Sequence, residues 1–206
     1  ESFSVTCSGE LRLTDLLTLY GWHYHLPPVS TWWKPSNGGI FIASKWPIVA
    51  SRDMVYTACR FPDCLAAKGV QYVRIEKRLD GRTKRYHVFG THLQAWGEAA
   101  AAAVRSDQSR ELARFIQQQN IPFAEPVLLA GDLNTRGPEN PQFQALIDIL
   151  GVTMPPIVGE RRATMDVDNT LFRRGPWLVD YVLPATRHQR PVKAELEVMP
   201  LRTERE

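Results

Sequence analysis

The chain has 206 residues, 44% hydrophobic and 23% charged, with no low-complexity run, a composition that suits one ordinary globular domain. A formal net charge of +3 favours anionic partners such as lipid headgroups or nucleic acid, but only weakly. No stretch approaches the ~20 apolar residues of a transmembrane helix, and Glu1-Ser2-Phe3-Ser4 has neither the basic start nor the apolar core of a signal peptide.

Residues 9–20 place Leu13, Leu16, Leu17 and Tyr20 at helical spacing and predict a surface helix closed by Gly21. Residues 22–26 predict a short strand, in which His23 and His25 alternate with aromatics as strand residues rather than as a metal pair. Residues 27–38 predict a loop. Its adjacent Trp32 and Trp33 could dip into a membrane interface, although indoles in loops are more often folded underneath. Strands follow over 39–44 and 48–56, separated at Pro47, which forbids uninterrupted central pairing. Lys45, just before it, either contacts phosphate or is solvated.

The three cysteines, Cys7, Cys59 and Cys64, fit neither a zinc framework nor a disulfide-rich miniprotein. Between Cys59 and Cys64 lies Arg60-Phe61-Pro62-Asp63, whose Pro-Asp pair favours a turn. On spacing alone, a local disulfide and two unpaired small hydrophobes remain equal alternatives.

Two β-forming runs, 69–77 and 84–92, flank Asp80-Gly81 and predict a hairpin. Tyr86, Val88, Gly90 and His92 share one face of the second strand, so His92 arrives at a strand end, and His87 is out of phase with it. An alanine run with Val104, Leu112, Phe115 and Ile116 predicts the longest helix over 98–119, ended by Ile121-Pro122.

The run Pro126-Val127-Leu128-Leu129-Ala130-Gly131-Asp132-Leu133-Asn134 predicts a buried strand that ends at polar groups. Asp132 and Asn134, at i and i+2, can point the same way from an extended chain. A carboxylate beside a carboxamide suits a phosphate site with a divalent ion, because one orients water or metal and the other donates to a phosphoryl oxygen. Taken alone, this stretch is equally an Asx turn after a strand.

A helix is predicted over 141–150, then a polar loop containing Arg161, Arg162, Asp166 and Asn169. The strand predicted over 177–183 contains Asp180 among apolar neighbours, where a charge must be paired or functional. A last strand is predicted over 192–199. Hairpins first and then strands alternating with helices argue for an α/β or α+β sandwich. Arg161, Arg162, Arg173 and Arg174 are read as hydrated loop residues, with contact to lipid phosphates as the functional alternative.

Taken together, Asn37-Gly38-Gly39, Ser44-Lys45-Trp46-Pro47-Ile48, Lys68-Gly69-Val70, Gly90-Thr91-His92-Leu93-Gln94-Ala95, Gly131-Asp132-Leu133-Asn134 and Val179-Asp180-Tyr181 resemble the endonuclease/exonuclease/phosphatase superfamily. Within it, they resemble the bacterial neutral sphingomyelinases over nearly the whole chain. The resemblance implies a four-layer αββα sandwich of the DNase I-like type, forming a single domain over 1–206 with outer strands missing. It also implies Mg²⁺-dependent hydrolysis of sphingomyelin to ceramide and phosphocholine by in-line water attack.

Carried over by residue, Asp132 resembles the acid that orients the attacking water, and Asn134 the amide that holds the phosphate. His92 resembles the histidine that contacts a phosphoryl oxygen and protonates the leaving alkoxide. Asp180 resembles the acid that fixes the general-base histidine, and Glu1 falls at the metal-binding glutamate. The family's Ser-Asp-His end, its strand before the glutamate and its membrane-inserting hairpin have no counterpart in this sequence. The expectation is therefore a domain incomplete at both ends, turning over at a small fraction of a complete member's rate, since general-base catalysis contributes about 10²- to 10⁴-fold.

The resemblance further implies a secreted, monomeric protein, extracellular or periplasmic, acting on sphingomyelin or a related phospholipid at a membrane surface. In that setting Cys59 and Cys64 are expected to be disulfide-bonded and Cys7 free. The small charge excess gives little support to nucleic acid as a partner. The alternatives are a nuclease or inositol-phosphate phosphatase of the same superfamily, or a non-catalytic remnant that binds membranes or partners.

Overall fold

The structure is a computed structural model and describes residues 13–167 and 175–199. In chain order, helix α1 (Leu13–Leu19) precedes strands β1 (Tyr24–His25), β2 (Ser36–Asn37), β3 (Ala43–Ser44), β4 (Ile48–Val55), β5 (Ala66–Ala67), β6 (Gly69–Leu79) and β7 (Arg82–His92). Helix α2 (Ala99–Gln117), β8 (Val127–Asp132), helix α3 (Pro141–Leu150), β9 (Ile157–Val158), β10 (Asp180–Pro184) and β11 (Leu196–Glu197) complete the order.

The fold is α/β, built on a five-stranded sheet in the order β10-β8-β7-β6-β4. β7 and β8 run parallel and their neighbours antiparallel. Three two-stranded pairings, β1-β3, β2-β5 and β9-β11, accompany it among the described residues.

Local chemistry explains the longer elements. β6 and β7 close through Asp80 and Gly81, at φ 50° and 73°, the left-handed pair that a two-residue hairpin needs. Asn140 caps α3 by accepting the Gln142 N–H at 3.0 Å, Pro141 occupies its first turn, and Gly151 ends it at φ 62°. α2 turns Ala101, Arg105, Gln108, Leu112 and Phe115 inward at helical spacing.

Alternation along the strands divides the sheet into two faces. Phe89, Leu129, Tyr181 and Leu183 pack with Leu112, Phe115, Phe143 and Leu146 of the two long helices to form the core. Ring contacts tie the layers, Phe89 meeting Phe115 edge-on at 6.3 Å and Phe143 lying 4.6 Å from Tyr181.

Over the opposite face of β6 and β7 crosses the segment that leads into β3. Buried Gln71 holds it, accepting the Ile42 N–H at 3.0 Å and donating to the Pro27 carbonyl at 2.9 Å. Gly90 permits the close approach, because a Cβ there would press on Ile42 at 3.2 Å.

Several elements differ from the sequence expectation at their ends. The strand expected over 177–183 begins its ladder at Asp180, because Trp177 instead bridges Met165. The strand expected over 192–199 pairs only at Leu196 and Glu197. Trp32 and Trp33 are exposed rather than folded beneath their loop. Glu1, Cys7, Asn169, Arg173 and Arg174 lie outside the described residues.

Candidate active site

His92, Asp132 and Asp180 occupy one row across three strands. His92 is in register with Asp132 across the parallel β7-β8 pair, and Asp132 with Asp180 across the antiparallel β8-β10 pair. Register partners share a face, so the three side chains emerge together at one sheet edge. Asn134 joins them two residues beyond Asp132. All four line one cavity of about 760 Å³.

Hydrogen bonds fix the row. The Asn134 N–H donates to Asp132 Oδ1 at 2.7 Å, forming an Asx turn, and the Asn134 side-chain nitrogen donates to the Leu93 carbonyl at 2.9 Å. Of the two readings open on sequence grounds, the structure realises the Asx turn. Asn134 adopts φ 52°, a left-handed conformation that asparagine tolerates. Gly131 sits at φ 132°, where a Cβ would be driven into the Thr91 carbonyl. His92 Nδ1 lies 3.0 Å from the Gly38 carbonyl, so its proton is held there and Nε2 faces Asp132 Oδ2 at 3.6 Å.

Burial sets the protonation of Asp132 and His92. It pushes Asp132 up to about 7, reinforced by the Asp180 carboxylate and opposed by the Asn134 N–H and the Lys68 ammonium. Burial also pulls His92 down to about 3, with Lys68 acting in the same direction and the Gly38 carbonyl against it. Near neutral pH the imidazole is thus uncharged, and Asp132 exchanges its proton in the range suited to a base.

Lys68 and Asp63 complete one wall of the cavity, and neither was assigned a role from sequence. The Lys68 ammonium donates to Asp63 Oδ2 at 2.6 Å and to the Leu93 carbonyl at 3.0 Å. Asp63 Oδ2 also accepts the Ala95 N–H at 2.6 Å. Asp63 reaches this position on a loop closed by the Cys59–Cys64 disulfide, whose S–S distance is 2.04 Å. The available signal was the lysine in Lys68-Gly69-Val70, which directly precedes the buried start of β6 and therefore needs a partner.

Arg136, Trp177 and Trp96 also line the cavity, the Arg136 guanidinium lying 4.0 Å over the Trp177 ring. Arg105 braces the intervening loop by donating to the Gln94 and Trp96 carbonyls at 2.8 and 2.6 Å. Lys45 is not among the cavity residues and lies over Trp22. His87 faces away, bonded to Tyr72 at 2.8 Å and to Glu125 at 2.6 Å. Among the described residues no group of three His, Cys, Asp or Glu side chains forms a metal site. The donor set nevertheless fits a hard divalent cation. Asp132 and Asp180, in register across β8 and β10, are oxygen donors, and Mg²⁺ typically takes only one or two carboxylates and retains water.

No family model matches the chain. It is 32% identical over 179 residues to a sphingomyelinase C of Bacillus cereus, aligning 80% of this chain with 53% of that protein. The chain thus spans about half the length of the curated relatives it matches. Among solved structures, sphingomyelinase C from Streptomyces griseocarneus superposes with TM-score 0.79 at 26% identity, covering 90% of this chain and 70% of that one. A Staphylococcus aureus beta toxin mutant with bound magnesium ions superposes with TM-score 0.80 at 25% identity, covering 92% and 72%.

Proposed function

We propose that this chain, a homologue of the bacterial sphingomyelinases C within the endonuclease/exonuclease/phosphatase superfamily, hydrolyses the phosphodiester of sphingomyelin to ceramide and phosphocholine, with Mg²⁺ as cofactor. The observation that carries this reading is the row of His92, Asp132 and Asp180 beside Asn134 in one cavity. The related structure with bound magnesium ions supports the cofactor. We place the protein outside the cytoplasm, where its disulfide persists.

In the proposed reaction a water attacks phosphorus in line with the ceramide oxygen. Asp132, with a pKa of about 7, orients that water and takes its proton. One Asn134 side-chain N–H is held by the Leu93 carbonyl, which aims the other at a phosphoryl oxygen. His92 contacts a second oxygen and donates a proton to the leaving alkoxide. Its bare Nε2 faces Asp132 Oδ2 at 3.6 Å, so the proton that Asp132 takes from water passes through the neutral imidazole to the alkoxide and the step balances. Asp180 adds negative charge beside Asp132, which favours proton uptake by Asp132. Glu1, with Asp180, would hold a Mg²⁺ ion and leave Asp132 to the water, and the ion would supply neutralisation of phosphodiester charge.

The test incubates the chain with sphingomyelin, a nucleotide diester and DNA in parallel, with Mg²⁺ and with EDTA. Phosphocholine release that requires Mg²⁺ is expected. Cleavage of DNA or of the nucleotide diester in its place would overturn the substrate assignment.

A further inference from the structure

We propose that Trp32 and Trp33, together with Phe61 and Leu65 on the neighbouring disulfide-closed loop, form a membrane-interface surface that seats the cavity mouth on a phosphocholine-headgroup bilayer. The proposal deepens the sphingomyelin reading and rests on it for the identity of the lipid. Trp32 is 92% exposed, Trp33 61%, Phe61 71% and Leu65 49%. Such exposure of large aromatics in adjacent loops marks an interaction surface. Tryptophan suits the headgroup level, having an apolar ring with a polar N–H.

The two loops are joined and stiff. Ser36 and Asn37 pair in parallel with Ala66 and Ala67. Lys34 Nζ donates to the Cys64 and Ala66 carbonyls at 3.0 and 3.2 Å, and the Ser36 hydroxyl donates to the Leu65 carbonyl at 3.3 Å. The Cys59–Cys64 disulfide closes the second loop. These ties hold the apolar side chains outward before docking, so little ordering is left to oppose it.

Position and charge select a bilayer as the occupant. The loop that presents the indoles continues directly into Ser36, Asn37 and Gly38 of the cavity wall, and the disulfide loop contributes Asp63. A bilayer touching the aromatics therefore meets the cavity. Residues 27–42 contain Lys34 but no Asp or Glu, and Asp63 is occupied by Lys68 and Ala95. Headgroup phosphates thus face no unpaired carboxylate from these loops. A second copy of the chain fits less well, because four side chains offer less than the about 800 Å² per partner of a stable interface.

The test uses phosphatidylcholine vesicles with brominated acyl chains, free of sphingomyelin, in EDTA. The parent chain should co-sediment with them and lose tryptophan fluorescence. Trp32→Ser with Trp33→Ser should weaken partitioning by about tenfold or more, Phe61→Ser with Leu65→Ser should weaken it less, and Trp46→Ser should leave it unchanged. Vesicle binding with this pattern but no sphingomyelin hydrolysis would support the surface while refuting the substrate reading. Equal binding by the double tryptophan variant, or no binding by a parent that hydrolyses a soluble phosphocholine diester, would overturn the surface. So would a parent that self-associates in sedimentation when the double variant does not, since the patch would then be a contact between copies.

Discussion

At the scale of single residues, what each side chain does is separable from how its environment prepares it. His92→Ala should lower phosphocholine release by about 10²- to 10⁴-fold and Asn134→Ala by about 10²- to 10³-fold, measured in Mg²⁺ with circular dichroism showing both variants folded. Protonation gives a test that needs no substrate. Asp132 has a folded pKa of about 7, raised above its ordinary 3.8 by burial first and by Asp180 second. Its favourable contribution is therefore present below about pH 4 and lost as pH rises through about 7. In EDTA, the melting temperature of Asp132→Asn relative to the parent should rise across that window and level off above it, and a flat difference would contradict the burial argument. His92 has the opposite sign. Its folded pKa of about 3 makes its contribution present above about pH 6.5 and lost as pH falls toward 3, so its ring resonances should show no titration near pH 6. The types and positions of these residues were legible because each ends or interrupts an apolar strand. Lys68 and Asp63 were not, since their pairing depends on a loop fold that spacing does not determine.

At the scale of elements, the sequence was most informative where structure is decided locally. Asp80-Gly81 specified its hairpin, and Asn140, Pro141 and Gly151 bounded α3, because turn and cap chemistry act over a few residues. β1 and β3 fall within the strands predicted over 22–26 and 39–44, whereas β2 and β5 join segments with no strand pattern and form because longer elements bring them together. The strand end at Gly131 is the most constrained of the local features. Gly131→Ala should cost about 3 kcal/mol or more, from backbone strain and collision with the Thr91 carbonyl. Gly137→Ala, at φ 88° but in open space, should cost less, and urea denaturation of the two variants makes the comparison. The disulfide loop is the second such feature. Spacing left Cys59–Cys64 undecided, and the structure closes it beside the cavity. Replacing both cysteines by serine should remove about 2 kcal/mol for so short a loop and also reduce turnover, because Asp63 then loses its fixed hold on Lys68 and Ala95. Unchanged turnover would show that the loop does not position the site.

At the scale of the whole molecule, one face of the sheet supplies stability and the opposite face, at its edge, supplies chemistry. The fold class was readable from hairpins followed by alternating strands and helices, and the DNase I-like type came only with the combined motifs, which no single pattern specifies. Leu129→Ala, in the helix-covered core, should cost about 2 to 5 kcal/mol without altering the substrate choice of the remaining folded protein. The site variants should do the reverse. That separation makes one measurement decisive: phosphocholine release from sphingomyelin vesicles by the parent, His92→Ala and Asn134→Ala chains, each with Mg²⁺ and with EDTA. The account predicts release by the parent that EDTA abolishes and that both substitutions reduce to background, whatever the parent's absolute rate. Release that persists in His92→Ala and Asn134→Ala, or that is indifferent to EDTA, would contradict it.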